Sequence, residues 1–185
     1  MPIKPVILNR VLLATSRLFK IEQLDLQFSN NTVCHYERLC STHSPGSVMI
    51  VPLMDSDTVL LVREYCAGVD RYEIGLPKGR IESGETIYQA ADRELKEEAG
   101  HGANLLKHIG PLTLAPAYMS HSIEVLIAWD LYEQRLQGDE PEQLEVVPWP
   151  LTDICSLVSS GECTEARTIA ALFLTLEHVN KDLIV

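Results

Sequence analysis

Between residues 79 and 101 the chain reads GRIESGETIYQAADRELKEEAGH, and this stretch limits the fold more than any other. Pro77 and Gly79 break any helix before Glu85 and force a turn from loop into helix. The helix is expected to run from about Thr86 to Ala99, with Gly100 as its stop. On it, Glu94, Glu97 and Glu98 stand at i, i+3 and i+4, so their carboxylates share one face. Three like charges that close repel one another. A hard divalent cation seeks several oxygen ligands and turns the repulsion into attraction. Roughly 100° further round, Tyr88, Ala91, Leu95 and Ala99 form an apolar stripe that can press on a sheet.

The rest of the chain supplies that sheet. Residues 6–40 show partial alternation broken by a turn signal at residues 29–31, and read as a three-stranded antiparallel meander. CSTHSPGS (40–47) is a loop, which divides an N-terminal β segment (1–45) from a main domain (46–185). VMIVPLM (48–54) and TVLLVREY (58–65) are apolar enough to be central strands, joined by a tight Asp-Ser-Asp turn. Residues 66–79 hold a loop and a short strand. Residues 103–118 and 122–132 read as strands, 137–145 as an acidic loop and 146–149 as a short strand. A helix opened by Pro150 closes at Gly161. A last amphipathic helix runs from Thr164 to about Asn180 and is expected to bury Ile169, Leu172, Phe173 and Leu176. The order implies an α+β class with a mixed sheet and helices on it, in an α/β/α layering.

Composition narrows the partners. A formal net charge of −11 argues against nucleic acid held on a broad basic surface, and against an anionic membrane. Any anionic substrate must then be drawn in by bound metal and a few local Arg or Lys residues. The five cysteines (Cys34, Cys40, Cys66, Cys155, Cys163) are odd in number and form no CxxC, which argues against a disulfide framework or a zinc site. No run approaches the roughly 18 apolar residues of a membrane span, and Pro2 and Pro5 interrupt any signal-peptide layout. Cytoplasm is the expected compartment.

The 79–101 stretch resembles the signature of the Nudix family, GX5EX7REUXEEXGU, with U a bulky aliphatic residue. Gly79, Glu85, Arg93, Glu94, Leu95, Glu97, Glu98 and Gly100 match its fixed positions, and His101 departs from its last. Charge runs on helices are usually solvated faces. Gly79, Glu85 and Gly100 in register with the carboxylates outweigh that reading. The resemblance implies the Nudix fold, an α/β/α sandwich with a mixed sheet, preceded here by the N-terminal meander. It implies hydrolysis of a nucleoside diphosphate linked to another group, with Mg²⁺ (or Mn²⁺) as cofactor. Carried over residue by residue, Glu94 and Glu98 are metal ligands, and Glu97 is a third ligand or the base. A backbone carbonyl at the Lys78–Gly79 turn is a further ligand. Arg93 braces the carboxylates by pairing with Glu85 or Glu97. Glu85, Gly100 and Pro116 are structural.

Flanking residues resemble the ADP-ribose pyrophosphatase branch: LLVREY, LPKG before the helix, and LAPAYMSHSIEVLIA with Pro116 lying 15 residues after His101. Tyr118, 17 residues after His101, stands about where diadenosine polyphosphate hydrolases place a tyrosine. Two departures are Ala117 where a glycine is usual, and Gly75 where an acidic residue precedes Leu-Pro. Glu73 lies two positions earlier, so a metal ligand of some relatives is missing or moved. The combination most resembles the ADP compounds hydrolases, which accept ADP-ribose, diadenosine triphosphate and NADH. In this branch the base comes from an acidic loop. Residues 138–144 sit where it belongs, with Glu140 and Glu142 as candidates beside Glu97; a solvated loop is the bland alternative. Arg63, Lys78 and Arg80 are candidates for phosphate contact, and Tyr118, Tyr65 or Tyr72 for stacking on adenine. The branch also implies a homodimer formed through the N-terminal sheet. Rival readings are a nucleoside triphosphate or oxidised-nucleotide pyrophosphohydrolase, and a non-catalytic ADP-ribose-binding module. Such modules typically lose the carboxylates that this chain keeps.

Overall fold

Every residue of the run Val48–Val51 is fully buried, and successive side chains of a strand point to opposite faces. A strand this apolar on both faces needs cover on both, and the layering of the larger part of the molecule follows from it. The computed structural model of the protein describes residues 2–41 and 46–182. The division expected at residue 45 falls among residues 42–45, outside the described residues. The chain forms two compact units, Met1–Ser44 with Thr113–Ser122, and Pro45–Leu112 with Ile123–Val185.

The first unit contains β1 (Val6–Thr15), β2 (Phe19–Gln27) and β3 (Val33–Ser41), an antiparallel sheet in that order. Arg10 pairs with Leu24, and Leu24 with Tyr36. Ser16 turns the chain between β1 and β2, its hydroxyl accepting the Phe19 N–H at 3.0 Å. The expected strand over residues 103–118 ends early. Ala115 takes a left-handed φ of 46°, and its carbonyl accepts the N–H groups of Tyr118 and Met119 in a tight turn. Pro116 carries no N–H with which to continue a ladder. This turn is fastened to β3: Leu39 N–H donates to the Tyr118 carbonyl, and Ser120 N–H to that of Leu39.

The second unit holds two sheets. One has the order β10-β5-β6 and the other β7-β4-β9-β8. Their strands are β4 (Ser47–Pro52), β5 (Thr58–Cys66), β6 (Arg71–Gly75), β7 (Lys78–Arg80), β8 (His101–Thr113), β9 (Ser122–Glu133) and β10 (Glu145–Pro150). The turn between β4 and β5 is as tight as expected, with the Asp55 carboxylate accepting from Asp57 N–H and Thr58 N–H. The two strands nevertheless part into different sheets, joined beside the turn by the Leu53–Val59 bridge and a Met54 N–H to Thr58 carbonyl bond. β4 pairs in parallel with β9 and antiparallel with β7, so that sheet is mixed.

Alternation along β4 feeds two cores. Val48 and Ile50 pack with Ala90, Ala91, Leu95 and Ala99. Met49 and Val51 pack with Ile154, Leu157, Ala171 and Leu172. Helix α1 (Ile87–Glu94) therefore covers one face, and α2 (Ile154–Ser160) and α3 (Ala166–Asp182) cover the other. α1 opens with a capping box, Thr86 and Gln89 satisfying each other's backbone N–H groups. It does not run regularly to Ala99, because Leu95–Ala99 is a π-turn that ends at Gly100 with φ 71°. The stripe also differs by one residue. Ala90 is buried, while Tyr88 stays 47% exposed, its polar hydroxyl suited to water.

α3 buries Thr168, Ala171, Leu172 and Thr175, and leaves Phe173 43% exposed. Its buried stripe is centred about one position earlier than expected, where small side chains let the helix approach the sheet. It starts at Ala166 rather than Thr164, because the Glu165 carboxylate caps it by accepting from Thr168 N–H at 2.8 Å. Among the described residues no helix is long and apolar enough to cross a membrane.

Candidate active site

Arg93 is the centre of the site. Its guanidinium donates to both Glu85 oxygens at 2.8 and 3.0 Å, to Glu94 at 2.8 Å, to Glu97 at 2.9 Å and to the Arg80 carbonyl at 2.8 Å. The fork geometry of a guanidinium suits such shared carboxylates. Glu85 in turn accepts the Glu82 N–H at 2.9 Å, which fixes the loop between β7 and α1. Arg93 thus ties that loop to the last regular turn of the helix.

The carboxylates behind it are buried. Glu94 is 7% exposed and Glu98 is 4% exposed. Burial raises the Glu94 carboxyl against the pull of Arg93, and nearby Glu97 and Glu140 raise it further. Burial pushes Glu98 to about 8, opposed by the Lys78 charge and by the Lys78 N–H, which donates to Oε2 at 3.0 Å. Gly79 makes this approach possible. A Cβ built there would stand 2.0 Å from Glu94 Cδ, so the turn and the carboxylate occupy one space.

Among the described residues no group of three His, Cys, Asp or Glu side chains converges closely enough, as it stands, to hold a metal ion. The reason is local: Glu94 and Glu97 are turned onto Arg93. The donor set still fits a hard cation. Two buried carboxylates with raised protonation meet a backbone turn that has no side chain to fill the space.

The other sequence candidates separate. Lys78 Nζ pairs with Glu64 at 2.7 Å, and Glu64 also acts on Glu98 through its charge. Glu64 was not singled out from the sequence, although it follows Val62 on the same face of β5. Arg63 is held by Glu145 at 2.8 Å and Glu162 at 3.3 Å. Arg80 is exposed, with its carbonyl on Arg93. Tyr118 (60% exposed) and Pro116 belong to the tight turn of the first unit. Tyr65 and Tyr72 meet edge-on at 5.6 Å. Glu73, two positions before Gly75, is buried, with its carboxylate accepting from Thr164 N–H at 2.8 Å and from Arg71 at 2.7 Å. His101 begins β8, partly buried, with Nδ1 2.9 Å from the Ala99 carbonyl oxygen.

The acidic loop distinguishes its two glutamates. A Cβ on Gly138 would lie 3.5 Å from Glu97 Cβ and 2.0 Å from Glu140 Oε2, so the loop runs beside Glu97 and Glu140 folds back over it. Glu140 is half-buried, and its charge reaches Glu94. Glu142 is exposed and accepts the Tyr72 hydroxyl at 2.6 Å. A cavity of about 420 Å³ opens beside Gly100 and Arg135, but none of Glu94, Glu97 or Glu98 lines it.

The NUDIX domain family matches residues 43–170. The chain belongs to the Nudix family of pyrophosphohydrolases. A second match, to the NudE-type Nudix hydrolase N-terminal domain, spans residues 5–38 of this Nudix hydrolase. The chain is 48% identical over 174 residues to the ADP compounds hydrolase NudE of Escherichia coli (strain K12), covering 94% of this chain and 92% of that protein. It is 31% identical over 130 residues to the ADP-ribose pyrophosphatase of Bacillus subtilis (strain 168), covering 69% and 70%. A crystal structure of an ADP compounds hydrolase superposes with a TM-score of 0.89 at 44% identity, over 98% of this chain and 97% of that one. The Nudix fold and the α+β class expected from the sequence therefore stand.

Proposed function

We propose that this Nudix hydrolase cleaves the pyrophosphate bond of ADP-containing compounds, ADP-ribose, diadenosine triphosphate and NADH among them, and releases AMP. The observation that carries the reading is the pair of buried carboxylates, Glu94 and Glu98, against the side-chain-free turn at Gly79. A binding module has no need of two such groups kept out of water. The substrate class is supported by the 48% identity to an ADP compounds hydrolase across nearly the whole chain.

Glu94, Glu98, Glu97 and a backbone carbonyl at the Lys78–Gly79 turn would hold Mg²⁺, with Mn²⁺ as a substitute. When bound, the cation neutralises the pyrophosphate and makes an attacking water more acidic. The chain supplies the rest. Arg93 fixes the Glu94 and Glu97 carboxylates from behind. Lys78, held between Glu64 and Glu98, balances the buried negative charge rather than reaching for phosphate. Glu140 is the base: it takes a proton from water as the oxygen attacks phosphorus, and the P–O bond of the anhydride breaks toward the leaving phosphate. Its half-buried place beside Glu97 favours it over Glu142, whose carboxylate is on Tyr72.

The first unit exposes Val6, Leu8, Val11, Leu12, Leu13, Phe19 and Ile21. Apolar side chains exposed on both faces of β1 and at the start of β2 support a homodimer. The enzyme then acts in the cytoplasm on small nucleotides, without nucleic acid or membrane.

The test is a product assay. ADP-ribose, diadenosine triphosphate, NADH and ATP are incubated with the protein, each with Mg²⁺ and with chelator. Metal-dependent AMP from the first three and not from ATP is the expected result. Cleavage of triphosphates alone, or tight ADP-ribose binding without product, overturns the reading.

A further inference from the structure

The end of the helix and the root of the acidic loop share one set of hydrogen bonds. Because the helix closes with a π-turn, the Gly100 N–H returns to the Leu95 carbonyl. The carbonyls that follow find partners on the irregular segment leading out of β9. Leu136 N–H donates to the Lys96 carbonyl at 3.1 Å, and Gln134 N–H to the Gly100 carbonyl at 3.0 Å. Arg135 Nη1 reaches the Glu97 carbonyl at 3.5 Å.

The guanidinium of Arg135 also lies over the helix end. A Cβ built on Gly100 would stand 2.6 Å from Nη2 and 2.9 Å from Cζ and Nε. Gly100 is therefore required twice, for its left-handed φ of 71° and for the room it leaves. A cation at a helix C-terminus opposes the negative end of the dipole and supplies donors to carbonyls that lack them. An exposed arginine is usually a solvated charge. This one is laid on a glycine that no other residue type could replace without displacing it.

The loop then runs to the carboxylates. Gly138 passes Glu97, Glu140 folds back over Gly138, and Leu144 is buried in the apolar cluster that holds Leu95 and Ala99. The segment carrying Glu140 is thus pinned at its root by Arg135 and at its exit by Leu144.

We infer that Arg135 is a positioning residue: it registers the acidic loop on the π-turn and through that loop holds Glu140 beside Glu97. This rests on the reading of Glu140 as the base.

The full-length protein is compared with Arg135→Ala, Arg135→Lys, Glu140→Gln and the double variant Arg135→Ala/Glu140→Gln. Turnover of ADP-ribose with Mg²⁺ and amide hydrogen exchange of residues 134–144 are both measured. Arg135→Ala is expected to lower kcat about tenfold or more, with KM within about twofold. Exchange across 134–144 quickens, and Arg135→Lys restores part of both. In the Glu140→Gln background, Arg135→Ala adds less than about twofold, since residues acting through one group are not additive. Full additivity, a change in KM alone, or unaltered exchange in Arg135→Ala overturns the inference. If Glu140→Gln retains full turnover while Arg135→Ala quickens exchange, the assignment of the base fails and only the docking of the loop stands.

Discussion

The carboxylate of Glu94 lies in the space that a side chain on residue 79 would fill, its carbon 2.0 Å from an ideal Cβ at Gly79. The two residues are 15 apart in sequence and belong to different elements, yet neither position is free without the other. Gly79→Ala therefore pushes out the Glu94 carboxylate rather than breaking the turn. The expected result is a drop in kcat of about 100-fold and a raised Mg²⁺ requirement, with a loss of stability of only about 1–3 kcal/mol. Activity against Mg²⁺ concentration, beside a thermal melt, checks it.

Tyr72 and Glu142 give the second prediction. On the proposed reading Glu142, whose carboxylate accepts the Tyr72 hydroxyl, fastens the loop and Glu140 is the base. Tyr72→Phe and Glu142→Gln should each change kcat by less than about fivefold, whereas Glu140→Gln lowers it by about 100-fold or more. Steady-state rates of the three variants side by side decide the order, and a slower Glu142→Gln would reverse the assignment.

Glu73 provides a pH dependence away from the carboxylates of the candidate site. Burial alone would raise its carboxyl, but the Thr164 N–H, Arg71 and the Thr164 hydroxyl overcome burial and hold it below the ordinary value of 4.5. Between the two values the unfolded chain binds more protons than the folded one. The stabilisation is therefore present above about pH 4.5 and is lost as pH falls through the folded value. Glu73→Gln should lower stability by about 1–3 kcal/mol at pH 7. The gap to the parent protein should narrow in urea melts as pH falls below about 4.5.

The exposed apolar side chains of β1 carry the fourth prediction. Leu12 is 57% exposed. A charge there opposes burial at any interface between copies, so Leu12→Asp should convert a dimer to monomer in light scattering, with the fold retained.

The sequence stretch from Gly79 to His101 made much of the site readable, because its spacing is local. Glu94, Glu97 and Glu98 lie within one helix, and Pro77 and Gly79 mark its entry. What stayed hidden depends on partners far along the chain. Lys78 reads as a phosphate contact until Glu64, on the other sheet, takes its ammonium. Glu140 and Glu142 look equivalent until Tyr72, 70 residues earlier, engages one of them. The π-turn has no marker in residue type, since Leu-Lys-Glu-Glu-Ala suits a regular helix equally well. That β4 and β5, joined by a tight turn, belong to separate sheets is likewise not written in their two apolar runs.

The most direct measurement is the turnover of Glu98→Gln on ADP-ribose across a Mg²⁺ titration, with its melting temperature recorded beside it. Glu98 is 4% exposed, and glutamine preserves its shape while removing the carboxylate that can ionise onto a cation. If the buried carboxylates hold the cation that drives the reaction, kcat falls by about 100-fold or more at saturating Mg²⁺ while the protein melts no lower than the parent without metal. Near-normal turnover at the parent's Mg²⁺ requirement would contradict it.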